Sequence, residues 1–471
     1  DVWLCAGQSN MEMKMFSVRD VYPKEIARAA NDAIRQFLVP VKYDFEQPQA
    51  DVEDGGWEAA DPRTVLNFTA AGYFFAAQLY EWYRVPIGLI NACLGGASIE
   101  SFMSEAALAP FPDVCESLQK LKDRAYVEQL ENGDRAAREQ WCRRINRIDA
   151  GMPENGTPCF DPSYDASAWR TIQVPSYWED EGLGSFNGVV WFRKEIDLPG
   201  DVPVGPAALS LGHIIDEDTV YVNGKAIGSG SNQYVPRNYE IPDRLLRPGK
   251  NTIVVRVVNF SGKGGFYKGK PYRLQAGDRI FDLTGEWRCL IGAASEPLPE
   301  PAFVQWRPTG LYNGMIAPLV RYAIRGVLWY QGESNVKRHE PYERLFKALI
   351  ADWREQWGLG NFPFLYVQLP NYGEPSDRPA DSNWARIREA QRKTLAVPGT
   401  GMAVAIDIGE WNDIHPRNKK EVGTRLALAA RKIAYGDKTT VASGPLLRSA
   451  RKEGNRIVLI FDETGGGLES K

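Results

Sequence analysis

Apolar residues in the first third of the chain follow two alternating periods. Val2-Trp3-Leu4-Cys5 is an unbroken apolar run, the mark of a strand covered on both faces. Ala70–Tyr83 repeats its apolar positions at helical spacing, and residues 86–94 return to a strand pattern. Residues from about 104 to 146 are rich in Glu, Lys, Arg, Ala and Leu, which favours helices lying over the surface. Strand and helix in alternation are the signature of α/β layering.

The pattern changes near Gly151. Met152-Pro-Glu-Asn-Gly-Thr-Pro158 is a cluster of turn formers, and helical periodicity then vanishes until about residue 295. Residues 189–198, 207–211, 219–222 and 251–260 are short alternating or β-branched runs. Asn223-Gly224 between Val220-Tyr-Val222 and Lys225-Ala-Ile227 predicts a type I′ hairpin, since both turn positions tolerate positive φ. The segment from about 155 to 292 is therefore expected to be a separate β-sandwich. Afterwards the α/β pattern resumes: strands at 323–330, 364–369 and 402–408, with helices at 341–357 and 419–435. The two α/β parts sum to about 105 plus 140 residues, enough for one doubly wound domain interrupted at an exposed loop. The expected boundaries are 1–150, 151–294, 295–436 and a terminal β piece at 437–471. In that piece residues 456–461 form a strand pattern followed by Gly465-Gly-Gly467, and the strand requires partners. The chain begins at Asp1 directly in a strand pattern, so a signal peptide or a preceding domain is expected to have been removed.

Composition narrows the classes. Of 471 residues, 44% are hydrophobic and 25% charged, ordinary globular usage that excludes disordered and low-complexity chains. Lys plus Arg is 56 against 60 for Asp plus Glu, a net charge of -4, so the basic excess of a nucleic-acid binder is missing. No run reaches the roughly 18 apolar residues of a membrane-spanning helix. Cys5 and Cys93 sit in apolar runs and are expected to be buried; Cys115, Cys142, Cys159 and Cys289 have more polar surroundings that admit disulfides. No Cys or His spacing suggests zinc.

Only three histidines are available to any mechanism that uses an imidazole base: His213, His339 and His415. His213 lies inside the β segment and His339 at a helix start, where structural duty is the simpler reading. His415 lies in Asp407-Ile-Gly-Glu-Trp-Asn-Asp-Ile-His-Pro416, a loop leaving a strand of the α/β part, where ligands of open α/β sheets bind. Asp413, two residues earlier, is placed to orient the imidazole. A serine needs such a base, and Ser9 stands in Gly7-Gln-Ser-Asn-Met11 where the first strand breaks into a turn. The pattern departs from the Gly-x-Ser-x-Gly elbow, because Met11 occupies the second glycine position. Two further turns end strands: Gly95-Gly96, where a backbone amide could approach substrate, and Gln331-Gly-Glu333-Ser-Asn335, with side chains suited to an oxyanion.

The four blocks Gly7–Met11, Leu94–Glu100, Trp329–Asn335 and Asp413–Pro416, in this order, resemble the sialate O-acetylesterases of the SGNH-hydrolase superfamily. The interrupting β segment resembles the sugar-binding jelly-roll of family 2 glycosidases. The resemblance implies an SGNH-type doubly wound parallel sheet interrupted by an all-β jelly-roll sandwich. It implies Ser9 as nucleophile, His415 as base and Asp413 as its orienter. It implies an oxyanion hole from the Ser9 amide, the Gly96 amide and the Gln331 side chain, with Gly95 as the alternative glycine. Glu333 is the rival acidic member. The implied substrate is an O-acetylated carbohydrate, 9-O-acetylated sialic acids first and acetylated xylan as the neighbouring choice. No cofactor or metal is implied, and no nucleic-acid partner. The family setting is an exported bacterial or lysosomal one. Family chains usually carry an additional β-domain before the catalytic strand and another after it, so the piece from about 437 resembles a domain cut short.

Two other classes compete. A glycoside hydrolase could pair Glu333 with Asp413, but leaves Ser9 and His415 without a task and lacks eight strand–helix repeats. A non-catalytic sugar binder could use the many aromatic rings, although Tyr177, Trp178, Trp191, Tyr234 and Tyr239 are expected to be structural.

Overall fold

Strand β1, Val2–Gly7, lies at the centre of a seven-stranded sheet because both its faces are apolar and both its edges are paired. With β2 (Asn31–Leu38), β3 (Trp57–Ala60), β4 (Ile87–Cys93), β5 (Gly326–Tyr330), β6 (Phe364–Gln368) and β7 (Thr400–Val404), the order is β7-β6-β5-β1-β4-β2-β3. All neighbours are parallel except the edge pair β2 and β3. Helices α1 (Ala70–Tyr83), α2 (Tyr342–Trp357), α3 (Asn383–Thr394) and α4 (Lys419–Ile433) share one apolar core with the sheet. The arrangement is mixed α/β around a largely parallel sheet. The chain leaves β1 toward β4 and β2, then returns on the other side through β5, β6 and β7. The loops after β1, β4, β5 and β7 therefore leave the carboxyl ends of strands on both sides of the switch in strand order, where such sheets bind ligands.

The computed structural model describes residues 1–202 and 205–468. They form two units, one built from Asp1–Glu128 with Phe303–Lys471 and the other from Gln129–Ala302. The second unit is all-antiparallel in its strands. A six-stranded sheet contains Arg170–Val174, Asn187–Leu198, Glu217–Val222, Lys225–Gly230, Gly249–Asn259 and Gly285–Ser295. A four-stranded sheet contains Ala207–Leu211, Asn238–Ile241, Tyr272–Ala276 and Arg279–Asp282. Phe192, Val220, Val255, Leu209, Leu274 and Trp287 close the core between the two sheets. The Asn223-Gly224 turn forms as expected, with φ of 48° and 82°.

The observed division falls at 128/129 and 302/303 rather than at 150 and 294. The reason is the far face of the six-stranded sheet. Val189, Trp191, Val254 and Val258 point away from the sandwich core, and Trp141 and Ile145 of the helix Arg124–Ile148 cover them. A surface helix by composition thus belongs, over most of its length, to the β unit.

Several details differ from the sequence reading, among them helix α3, which has no counterpart there. β2 and β3 have no counterpart there, because Asn-Asp-Ala-Ile-Arg-Gln-Phe-Leu does not alternate cleanly: polar Gln36 is buried and apolar Leu38 is exposed. The strand expected at 402–408 stops at Val404, where the chain turns into the loop that carries His415. The 456–461 strand finds its partner within the chain: Leu446–Glu453 pairs with Arg456–Asp462 as a two-stranded hairpin. Residues 469–471 of the expected terminal piece lie outside the described residues. All six cysteines are free thiols, and Cys159 and Cys289, expected in polar surroundings, are buried. Burial pushes the Cys289 thiol up to about 11, so it is not nucleophilic at neutral pH. No helix among the described residues is long and apolar enough to cross a membrane.

Candidate active site

The turn after β1 is forced by packing. Gly7 has φ of 127°, and a Cβ there would lie 2.2 Å from the Tyr330 carbonyl oxygen, so only glycine fits. The next residue, Gln8, donates its N–H to that carbonyl at 3.0 Å, and its side-chain Oε1 accepts from Gly332 and Ser334 N–H at 3.2 and 3.3 Å. The β1 turn is thereby bolted to the β5 turn, and Ser9 emerges between them.

Ser9 Oγ lies 2.7 Å from His415 Nε2, although 406 positions separate them in sequence. The His415 loop is held by Asp413, whose Oδ1 accepts the His415 backbone N–H at 2.9 Å and whose own N–H donates to the Glu410 carbonyl at 3.1 Å. Asp413 and His415 are both buried, with 3% and 7% of their surfaces exposed. Glu333, the rival acid, is engaged elsewhere. Its Oε1 accepts from Asn10 Nδ2 at 2.5 Å, and burial pushes its carboxyl above the usual range, offset by that bond and by Lys419.

The β4 turn abuts Ser9. A Cβ on Gly95 would sit 3.5 Å from Ser9 Cβ. The Gly95 N–H, however, donates to the Glu12 carboxylate at 2.7 Å, so this amide is occupied. The Ser9 and Gly96 N–H groups donate to no acceptor among the described residues. Gly96 has φ of 78°, and a Cβ there would lie 2.1 Å from the Trp306 ring, itself stacked on Phe303 at 3.9 Å. Of the two adjacent glycines, Gly95 has its amide taken by Glu12 and Gly96 does not.

Gln331 departs from its expected place. It is fully buried, and its Nε2 donates to Asn335 Oδ1 at 2.7 Å and to the Ala97 carbonyl at 3.3 Å. Its Oε1 accepts from the Tyr342 hydroxyl at 2.9 Å. The orientation is dictated from outside: Asn335 Nδ2 must donate to the buried Glu100 carboxylate at 2.9 Å, which turns Asn335 Oδ1 toward Gln331. The Gln331 amide therefore ties the β4 and β5 turns together rather than offering a hydrogen to an oxyanion. Ser334 Oγ adds a second tie, donating to the Gly96 carbonyl at 2.8 Å.

Sequence reasoning missed three residues of this site. Glu12 lies one turn beyond Ser9, and Asn10 and Lys419 join the Ser9 turn to the His415 loop; a lysine at the first position of a helix, where the dipole disfavours a cation, was the available signal. The other histidines stand apart from Ser9: His213 packs on Tyr267 with ring centroids 5.7 Å apart, and His339 lies 3.4 Å from both Arg386 and Glu340. Trp178, Trp191 and Tyr239 are buried and structural and Tyr177 packs against Tyr267, whereas Tyr234 is exposed.

Comparisons with known proteins bear on this arrangement. Residues 301–432 match the family described as carbohydrate esterase, sialic acid-specific acetylesterase. The chain is 40% identical over 154 residues to the sialate O-acetylesterase of Homo sapiens, a match that covers 29% of each protein. It thus matches less than a third of that relative's length. A solved carbohydrate acetylesterase from Xanthomonas citri has 28% sequence identity and a TM-score of 0.54, over 98% of this chain and 62% of the other. A β-galactosidase of Arthrobacter sp. is 30% identical over 124 residues, 21% of this chain and 12% of that one. The likeness to sialate O-acetylesterases read from the sequence blocks is borne out, and the mixed α/β fold is similar to that of the solved carbohydrate acetylesterase.

Proposed function

We propose that this chain is a serine carbohydrate esterase that removes O-acetyl groups from sugars, 9-O-acetylated sialic acids first among them, through an acetyl-enzyme. The observation that carries the reading is the 2.7 Å approach of Ser9 Oγ to His415 Nε2 at the carboxyl end of a parallel sheet. Ser9 attacks the acetyl carbonyl while His415 takes its proton; His415 returns that proton to the departing sugar oxygen, and water then clears the acetyl group by the reverse sequence. The Ser9 and Gly96 amides receive the developing oxyanion, a contribution of about 3–4 kcal/mol per donor in comparable sites. Asp413 is the acid that orients the His415 loop, supported by its bond to the His415 backbone; Glu333 is assigned to the Asn10 network instead. In this reading the α/β unit is an SGNH-type doubly wound domain and the β unit an inserted jelly-roll related to those of family 2 glycosidases, working in an exported bacterial or lysosomal setting.

Ser9→Ala is expected to abolish p-nitrophenyl acetate hydrolysis while the circular dichroism spectrum stays unchanged, and a fluorophosphonate should label Ser9 in the unaltered protein. Retained hydrolysis in the variant would overturn the assignment. Acetate release from 9-O-acetylated sialic acid compared with acetylated xylan decides the sugar: preference for xylan keeps the esterase and replaces the substrate.

A further inference from the structure

Lys419 is the first residue of α4 and has no exposed surface, two conditions that each disfavour a cation. A buried charge at a helix N-terminus is a local rule broken, and such breaks concentrate where function compensates them. Here the compensation is visible. Lys419 Nζ donates to Asn10 Oδ1 and lies 5.1 Å from the centroid of the Tyr330 ring. The carboxylates of Glu333, Asp413 and Glu410 all favour its charged form, while burial lowers its pKa to about 8.

The other end of the Asn10 amide explains what the lysine holds. Asn10 Nδ2 donates both to Glu333 Oε1 at 2.5 Å and to the Ile414 carbonyl at 2.9 Å. Asn10 follows Ser9, and Ile414 precedes His415. One side-chain amide thus joins the chain beside the nucleophile to the chain beside the base. Its sense is fixed by Lys419. A flipped amide would set its oxygen against the Ile414 carbonyl and the Glu333 carboxylate, and its NH2 against an ammonium.

We propose that Lys419 is a positioning residue for the Ser9–His415 pair, its ammonium locking the Asn10 crossbar that keeps the two reacting groups within hydrogen-bond distance. The inference rests on the esterase reading and deepens it. An ammonium makes a charge-assisted bond about twice as strong as a neutral amine does, so loss of the proton loosens the crossbar without removing it. Below about pH 8 Lys419 is charged and the pair is held; above it the amine is neutral and the pair drifts.

The test measures kcat and KM for p-nitrophenyl acetate from pH 6 to 9, with fluorophosphonate labelling of Ser9 alongside. Lys419→Met should lower kcat about 100-fold, the scale of a misplacement near 1 Å, with KM changed less than about two-fold. Lys419→Arg should recover part of that loss and show no alkaline decline. In the unaltered protein kcat should step down to a lower plateau on the alkaline side. Glu333→Gln keeps the acceptor for Asn10 but removes a charge that supports the ammonium, so the step should move to lower pH. A Lys419→Met protein with unaltered kcat overturns the proposal, as does an alkaline step that Glu333→Gln leaves in place. Should Lys419→Met fail to fold, the Glu333→Gln profile alone decides. An unaltered protein that neither hydrolyses the ester nor takes the label overturns the esterase reading and this inference with it; active protein with an indifferent Lys419 overturns only the inference.

Discussion

Glu12 bears on the choice between two adjacent glycines that the sequence leaves open. By accepting the Gly95 N–H it occupies that amide, so in the proposed mechanism the Gly96 N–H is the glycine donor to the oxyanion. Burial pushes the Glu12 carboxyl above its usual range, while the Gly95 N–H and Lys14 pull the other way, so the bond helps to keep it ionised. Glu12→Ala should therefore lower kcat about ten-fold, equivalent to roughly 1.4 kcal/mol of lost transition-state positioning. Glu12→Gln, which still offers an acceptor, should stay close to the unaltered protein; equal rates in all three would show that the glycine turn holds itself. Gly96→Ala is a harsher change, because its φ is positive and its Cβ would meet the Trp306 ring. It should cost about 1–3 kcal/mol of stability from backbone strain alone, read as a lowered Tm. The meeting of Ser9 and His415 is legible in the sequence because only three histidines exist and both residues follow strands of the α/β part. The direction of the Gln331 amide is not, because it depends on Glu100, a residue distant in sequence whose carboxylate orients Asn335.

At the scale of elements, the site is assembled by loops whose places after strands the sequence showed and whose lengths and directions it did not. Period-two and period-3.6 patterns located β1, β4, α1, α2 and α4, since each buries one or both faces in the core. They missed β2 and β3, which show no clean alternation: Gln36 is buried while Leu38 and Trp57 are exposed, and the neighbouring strand supplies their register. Helix α4 deserves a test of its own because its first residue is Lys419 and its packing fixes where the His415 loop ends. Gly423 lets α4 approach α1 closely: a Cβ there would lie 2.7 Å from Phe74 Cβ and from the Phe75 backbone nitrogen. Those neighbours are backbone or branch-point atoms that cannot swing aside. Gly423→Ala should lose about 1–3 kcal/mol through overpacking, despite the better helix propensity of alanine. Thermal unfolding followed by circular dichroism checks it, and an unchanged or raised Tm would show that the helices separate at little cost.

For the whole molecule, the informative fact is that every site residue falls in one unit while the chain between 129 and 302 builds a core of its own. Ser9, Glu12, Gly96, Glu333, Asp413, His415 and Lys419 all lie within Asp1–Glu128 or Phe303–Lys471. The β unit closes one core between its two sheets and a second beneath Trp141 and Ile145. The loss of helical periodicity points to a change of unit near Gly151, whereas the contacts divide the chain at 128/129, because a charged helix shows which side it buries only once its partner sheet exists. A self-contained double core implies independent folding. A fragment of residues 124–302, which retains the whole of helix Arg124–Ile148, should unfold cooperatively on heating and show no fluorophosphonate labelling. The same fragment begun at residue 150 would leave Trp191, Val189 and Val254 facing water and should melt at lower temperature or bind a hydrophobic dye. If the shorter fragment were as stable as the longer, the helix would be only a tether and the observed unit boundary would have no energetic meaning.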